Sequence, residues 1–236
     1  MARHFPHSSP RFGTKHNRKP PEAWESTFYY WWWCYLKRNE GYLKTCEAGG
    51  EGEFAILYAD FGEVRGDDFR LWWHRDGRGA RLFAEPPLLE KERILVPGDL
   101  VPSQEEALTI CLPLVLSKQS MARAVKRMLR EIPHHQGKRG LQDHKRSQAK
   151  YQISGNPTID SLRTGLMVYD FQMENPQLTL WEIGNELPRV SLSNKITGKE
   201  TKAELTDKKN VLAATVSRYL KKTTRSIERT GQGIFP

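Results

Sequence analysis

The apolar positions of the chain fall into blocks of distinct period. Trp24, Phe28, Trp31, Trp32, Tyr35 and Leu36 recur at the spacing of one helix face, and Tyr29, Tyr30 and Trp33 cover the other sides. A helix apolar nearly all round belongs in a core. A second helix is predicted over 118–132, with Met121, Val125, Met128, Leu129 and Ile132 on one face. Its opposite face holds Arg123, Lys126, Arg127 and Arg130. After Asn156-Pro157, Thr158 suits the N-cap of a helix bearing Ile159, Leu162, Leu166, Tyr169 and Met173, which Asn175-Pro176 stops. Residues 179–187 read as a short helix closed by Pro188, and 189–206 show no apolar pattern. Asp207 can cap a long final helix running to about Arg229.

That final helix has two separate stripes. Leu212, Val216, Tyr219, Leu220, Thr223 and Ile227 occupy one, and Arg218, Lys221, Lys222, Arg225 and Arg229 the other. A solvated helix usually mixes signs on its outer face, and this stripe is all positive. Elsewhere the patterns are shorter. Phe54–Phe61 fits a helix or a strand, and 80–84 and 94–96 read as strands between turn signals. Leu108–Leu116 reads as a strand that Pro113 confines to an edge or a bulge.

Composition narrows the class. The chain has 236 residues, 28% charged and 38% hydrophobic, enough for one large domain or two small ones. Its longest apolar run, Phe28–Leu36, is far below the ~20 residues of a membrane span. The basic N-terminal stretch lacks the apolar run and cleavage site of a secretory signal. Three widely spaced cysteines (Cys34, Cys46 and Cys111) form no CxxC or zinc-type cluster, which predicts a reducing, cytoplasmic setting. The net charge of +9 is segregated: +5 over 1–39, −7 over 40–110, +8 over 111–150 and +3 over 151–236. Such asymmetry is expected when one surface meets a polyanion.

Other chemistry is sparse. The aromatic helix could stack bases of single-stranded nucleic acid, but the core reading explains it better. His134, His135 and His144 suggest a metal or general base, yet sit in a polar, glycine-interrupted stretch without completing ligands. Glu63, Asp67 and Asp68 could chelate a divalent cation and equally suit a solvated loop. Gly77 and Gly79 form no phosphate loop, because no helix is expected to follow them. No catalytic, metal or cofactor residues are assigned, and no enzyme is expected.

Two resemblances bear on function. Thr179, Glu182, Ile183 and Leu187, followed by Thr215, Val216, Ser217, Arg218 and Leu220, resemble the supporting and recognition helices of bacterial helix-turn-helix and winged-helix regulators. About twenty residues join the two predicted helices here, 179–187 and 208–229, where those families have only a few. Trp33, Tyr35, Leu36, Lys37, Arg38, Asn39 and Tyr42 resemble a segment of an uncharacterised bacterial transcriptional-regulator-like domain.

The expected fold is α+β and mainly helical: a small mixed α/β N-terminal domain and a C-terminal trihelical helix-turn-helix-like domain. The expected divisions are a disordered basic arm at 1–23, the N-terminal domain at 24–132, a basic linker at 133–156 and the DNA-binding domain at 157–236. The expected function is DNA binding, as in a bacterial or mobile-element transcriptional regulator. Contacts are assigned to Arg218, Lys221, Lys222, Arg225, Arg229, Arg123, Lys126, Arg127 and Arg130, with Arg218 and Lys222 nearest the bases. One alternative is a non-enzymatic subunit of a nucleoprotein assembly, RNA-containing included, whose acidic 40–110 region binds a protein partner. Another is a nucleic-acid-processing enzyme using His134, His135 or His144.

Overall fold

The computed structural model describes residues 4–85, 109–131 and 149–236. The chain divides into two units, one made of 1–85 with 149–236 and the other of 86–148. In the first unit the helices are α1 (Glu22–Glu25), α2 (Phe28–Leu36), α3 (Glu40–Glu47), α4 (Ala55–Phe61), α5 (Phe69–His74) and α6 (Arg78–Phe83). Helix α7 (Lys118–Glu131) belongs to the second unit. The first unit resumes with α8 (Ile159–Glu174), α9 (Leu180–Glu186), α10 (Pro188–Ser191) and α11 (Lys202–Thr230).

Helix starts follow local capping chemistry. The side chains of Thr27, Asn39, Asp68 and Thr158 accept from the backbone N–H groups of Tyr30, Tyr42, Leu71 and Ser161, satisfying donors that no helical carbonyl reaches. The last helix begins earlier than its apolar stripe suggests. Thr201 and Glu204 form a reciprocal capping box at its start, so Asp207 lies inside the helix rather than capping it.

The core of the first unit is aromatic and centred on α2. Tyr29, Trp31, Trp32, Trp33, Cys34, Tyr35 and Leu36 are all buried, as an all-round apolar helix must be. The Trp32 ring lies 5.3 Å from Phe83, 5.4 Å from Phe235 and 5.8 Å from Phe61 between centroids. With its faces covered in this way, α2 offers no stacking platform to bases.

The expected domain division is therefore corrected. Residues before and after the 86–148 unit share one core: Tyr35 Oη donates to Leu162 O at 3.1 Å, and Asn39 Nδ2 to Ile227 O at 2.9 Å. Burial pushes the Tyr35 phenol up to about 12, which keeps it a donor. Helix α8 reaches α11 closely at Gly165, where a β-carbon would lie 2.5 Å from Thr223 Oγ1. The reason for the error is physical: a polar stretch marks a surface, not a boundary between cores.

Two further expectations fail. The stretch 80–84 is no strand, because α6 runs through it and buries both Leu82 and Phe83. The described part of Leu108–Leu116 pairs with nothing: it is irregular, with a turn at 114–116 and Leu114 and Val115 exposed. Among the described residues the only β pairing is two isolated bridges, Gly13 with Arg18 and Ile153 with Phe235. Among the described residues the architecture is mainly helical, without the mixed α/β layer. The segment 94–96 lies outside the described residues.

The described part of the basic arm, residues 4–23, is docked rather than disordered. Phe12 is buried and lies 5.3 Å from Trp24, and Phe5 lies 5.9 Å from both Tyr29 and Trp73. Isolated aromatic anchors hold this segment, which is why it shows no period. Among the described residues no helix is long and apolar enough to cross a membrane.

Candidate nucleic-acid interface

The C-terminal helices form a second apolar cluster that orients α11. Val168 of α8, Ile183 of α9, Leu187, Val190 of α10 and Val216 of α11 are buried together. With Leu212 and Val216 committed inward, the helical period turns Arg218, Lys221, Lys222 and Arg225 outward, and all four are exposed. No carboxylate lies within 4 Å of any of them among the described residues.

Many cations elsewhere in the first unit are engaged. Lys37 pairs with Asp67, Arg38 with Asp170, Arg65 with Glu63, Lys150 with Asp60 and Lys208 with Glu200. Lys209 sits 4.1 Å from the Trp181 ring and Arg163 lies 5.7 Å from Trp31. The stripe is thus a concentration of unneutralised charge on a rigid element. Lys222 Nζ makes one weak contact, 3.4 Å to Ser161 Oγ, in the first turn of α8. From α10, Arg189 reaches Asp160 of that same turn at 3.4 Å. Arg189 is thus engaged by a carboxylate and adds no unpaired charge to the stripe. Its sequence carries no signal for this, because its place depends on α10 packing Val190 beneath it.

Arg229 departs from the expected set. Its side chain is half-buried, and Nη1 donates to Pro236 O at 2.6 Å, holding the segment that inserts Phe235 into the core. Its role in the fold is structural. Arg123, Lys126, Arg127 and Arg130 lie exposed along α7, whose apolar residues Met121, Val125, Met128 and Leu129 are only partly covered. That stripe belongs to the second unit and is a separate surface.

The resemblance to a supporting and a recognition helix meets a specific geometry. Residues 179–187 do form α9, and Ile183 packs in the cluster that also holds Val216. The segment 215–220, however, lies in the middle of a 29-residue helix rather than at its start. The first turns of α11 and the preceding loop mix signs, with Lys199, Lys202, Lys208 and Lys209 among Glu200, Glu204 and Asp207. Lys208 and the backbone N–H of Thr197 hold the Glu200 carboxyl well below its usual range.

The acidic candidates have internal partners. Asp67 pairs with Lys37 at 2.8 Å, Asp68 caps α5, and Glu63 clamps Arg65. Among the described residues no group of His, Cys, Asp and Glu is arranged to hold a metal. His134, His135 and His144 lie outside the described residues. Comparison with family models, curated proteins and solved structures gives no match to this chain.

Proposed function

We propose that the protein binds nucleic acid, duplex DNA foremost, through Arg218, Lys221, Lys222 and Arg225, as a regulator of a bacterial or mobile-element genome does. The supporting observation is the exposed run of four cations on one face of α11, with no carboxylate near enough to neutralise it. Such charge costs free energy through self-repulsion unless a polyanion offsets it. Arg123, Lys126, Arg127 and Arg130 on α7 supply a second set of phosphate contacts. The regulator reading rests on the resemblance of residues 179–187 and 215–220.

One observation favours the second reading, a subunit that holds backbone without reading sequence. Recognition helices reach bases with their N-terminal residues. Here Arg218, Lys221, Lys222 and Arg225 lie in the middle and second half of α11 rather than in its first turns, which suits a helix laid along phosphates.

The test is titration of labelled 20-base-pair duplexes, single strands and RNA at several salt concentrations. Four neutralised phosphates on α11 alone give a log–log salt slope of about −3.6, and α7 steepens it. A slope shallower than about −2 on every polymer would overturn the proposal. Preference for one duplex sequence over competitor supports the regulator, and equal binding to all supports the subunit.

A further inference from the structure

A second positive centre lies away from α11, where α5 turns into α6. Asp76 and Gly77 both adopt left-handed backbone, with φ of 52° and 64°. They reverse the chain so that Arg78 opens α6 pointing inward. Arg78 is only 7% exposed, an unusual place for a guanidinium. Its guanidinium carbon lies 5.6 Å from the Trp72 ring centroid. Gly62, at φ of 60°, also packs against it: a β-carbon there would lie 2.5 Å from Arg78 Nη2, so glycine leaves room for the charged group.

The guanidinium so enclosed has no acceptor. Nε and Nη1 are buried and have no hydrogen-bond partner. Among the described residues no carboxylate lies within 4 Å of it, Asp76 included. The nearby carbonyl of Gly62 accepts from Tyr42 Oη at 2.7 Å, and that of Asp60 accepts from Arg81 Nη2 at 3.1 Å. Burial first, and then the charges of Arg75 and Arg81, pull the Arg78 pKa below the guanidinium range. A buried cation crowded by two others is strongly destabilising unless an anion meets it.

We propose that Arg78, held between Trp72 and Gly62 with Arg75 and Arg81 beside it, is the seat of an oxyanion group, a phosphate or a carboxylate. The chemistry follows from the shape of the guanidinium. Nη2 is the one guanidinium nitrogen not sealed like Nε and Nη1, and it belongs to both two-pronged faces of the fork, so an oxyanion is met there first. The planar fork recognises a planar carboxylate or one edge of a phosphate. Arg75 and Arg81 supply the field that draws the anion in. The site is independent of the α11 stripe.

The experiment is thermal denaturation of the full chain in chloride, inorganic phosphate or acetate at equal ionic strength. In 10 mM phosphate or acetate the wild-type melting temperature rises by about 3 °C over chloride. Arg78→Met fills the slot between Trp72 and Gly62 without charge, and in it the rise disappears. Arg218→Gln with Lys222→Gln keeps the rise, which separates this site from the proposed interface. A rise with phosphate alone assigns a phosphate ester, and a rise with acetate assigns a carboxylate. An equal rise in Arg78→Met overturns the proposal, as does no rise in the wild type. Should Arg78→Met fail to fold, the Arg78 Nε–H resonance of the wild-type protein decides. A saturable shift on titration with phosphate or acetate supports the site, and an unmoved signal overturns it.

Discussion

Arg38 and Asp170, 132 positions apart in the chain, meet fork to fork: Nε donates to Oδ1 at 2.8 Å and Nη2 to Oδ2 at 2.6 Å. Nη1 of the same arginine donates to Cys34 O at 2.7 Å, so the guanidinium closes the end of α2 while gripping α8. The pair stands at the edge of the shared core, with side chains 30% and 37% exposed. Solvent screening reduces its energy, but the two-pronged geometry retains part of it. Asp170→Ala is expected to lower unfolding stability by about 1 kcal/mol. Urea denaturation should still show one transition for the first unit. Separate transitions for 4–85 and 149–236 would restore the division into two domains.

Trp32 has a larger expected effect. Its ring is fully buried among Phe61, Phe83, Tyr151 and Phe235, which come from both sides of the 86–148 unit. Trp32→Ala should cost about 3–5 kcal/mol, because the aromatic neighbours cannot collapse into so large a void. Circular dichroism during denaturation measures it. A variant that keeps its melting temperature but loses nucleic-acid binding would instead make α2 part of the interface.

These two residues also show what local sequence could and could not convey. The period around Trp32 identified α2 as a core helix, and the stripes of 118–132, 159–174 and 208–229 marked their helices. Nothing local could reveal that Trp32 meets Phe235, or that Arg38 meets Asp170. The basic composition of 133–156 looked like a boundary because polarity reports exposure and says nothing of long-range packing. Leu82 and Phe83 misled because a six-residue helix is too short for its period to show against a strand. The start of α11 is legible as Thr201-x-x-Glu204, a capping box that stands more than two turns ahead of the first stripe residue, Leu212. For the candidate interface, the cations of α11 were visible. The structural use of Arg229 and the pairing of Arg189 with Asp160 depend on tertiary contacts.

The docked arm should respond to acid. His7 donates its backbone N–H to Tyr29 Oη at 3.3 Å and sets its ring 5.1 Å from Phe28; His74 lies 5.0 Å from Phe12. Burial lowers the His7 pKa, and burial followed by the charge of Arg70 lowers that of His74. Both rings therefore hold a proton less readily in the fold than in the unfolded chain. As pH falls below about 6.5 the unfolded chain takes up protons first, so stability present above that pH is lost towards the lowered folded values. The urea midpoint should fall between about pH 7.5 and pH 5. In His7→Gln with His74→Gln the fall should be shallower. An identical pH profile in the double variant would remove these rings as the cause.

The last prediction separates α11 residues that meet solvent from the one that supports the fold. Arg218, Lys221, Lys222 and Arg225 are exposed without a neighbouring carboxylate, whereas Arg229 donates to Pro236 O at 2.6 Å beside the buried Phe235. Replacing any of the first four by Gln should leave the melting temperature within about 1 °C, since exposed charges contribute little to folding. Each replacement should shorten the log–log salt slope by about 0.9, one phosphate contact apiece. Arg229→Gln should do the reverse, lowering the melting temperature while leaving the slope unchanged. Position along the helix adds a further distinction. If α11 lies along the backbone, Arg218→Gln weakens all duplexes alike. If its middle enters a groove, that variant costs about 1–3 kcal/mol on one sequence and little on others. A salt slope that falls for Arg229→Gln and not for Arg218→Gln would place the polyanion elsewhere and end the interface proposed for this helix.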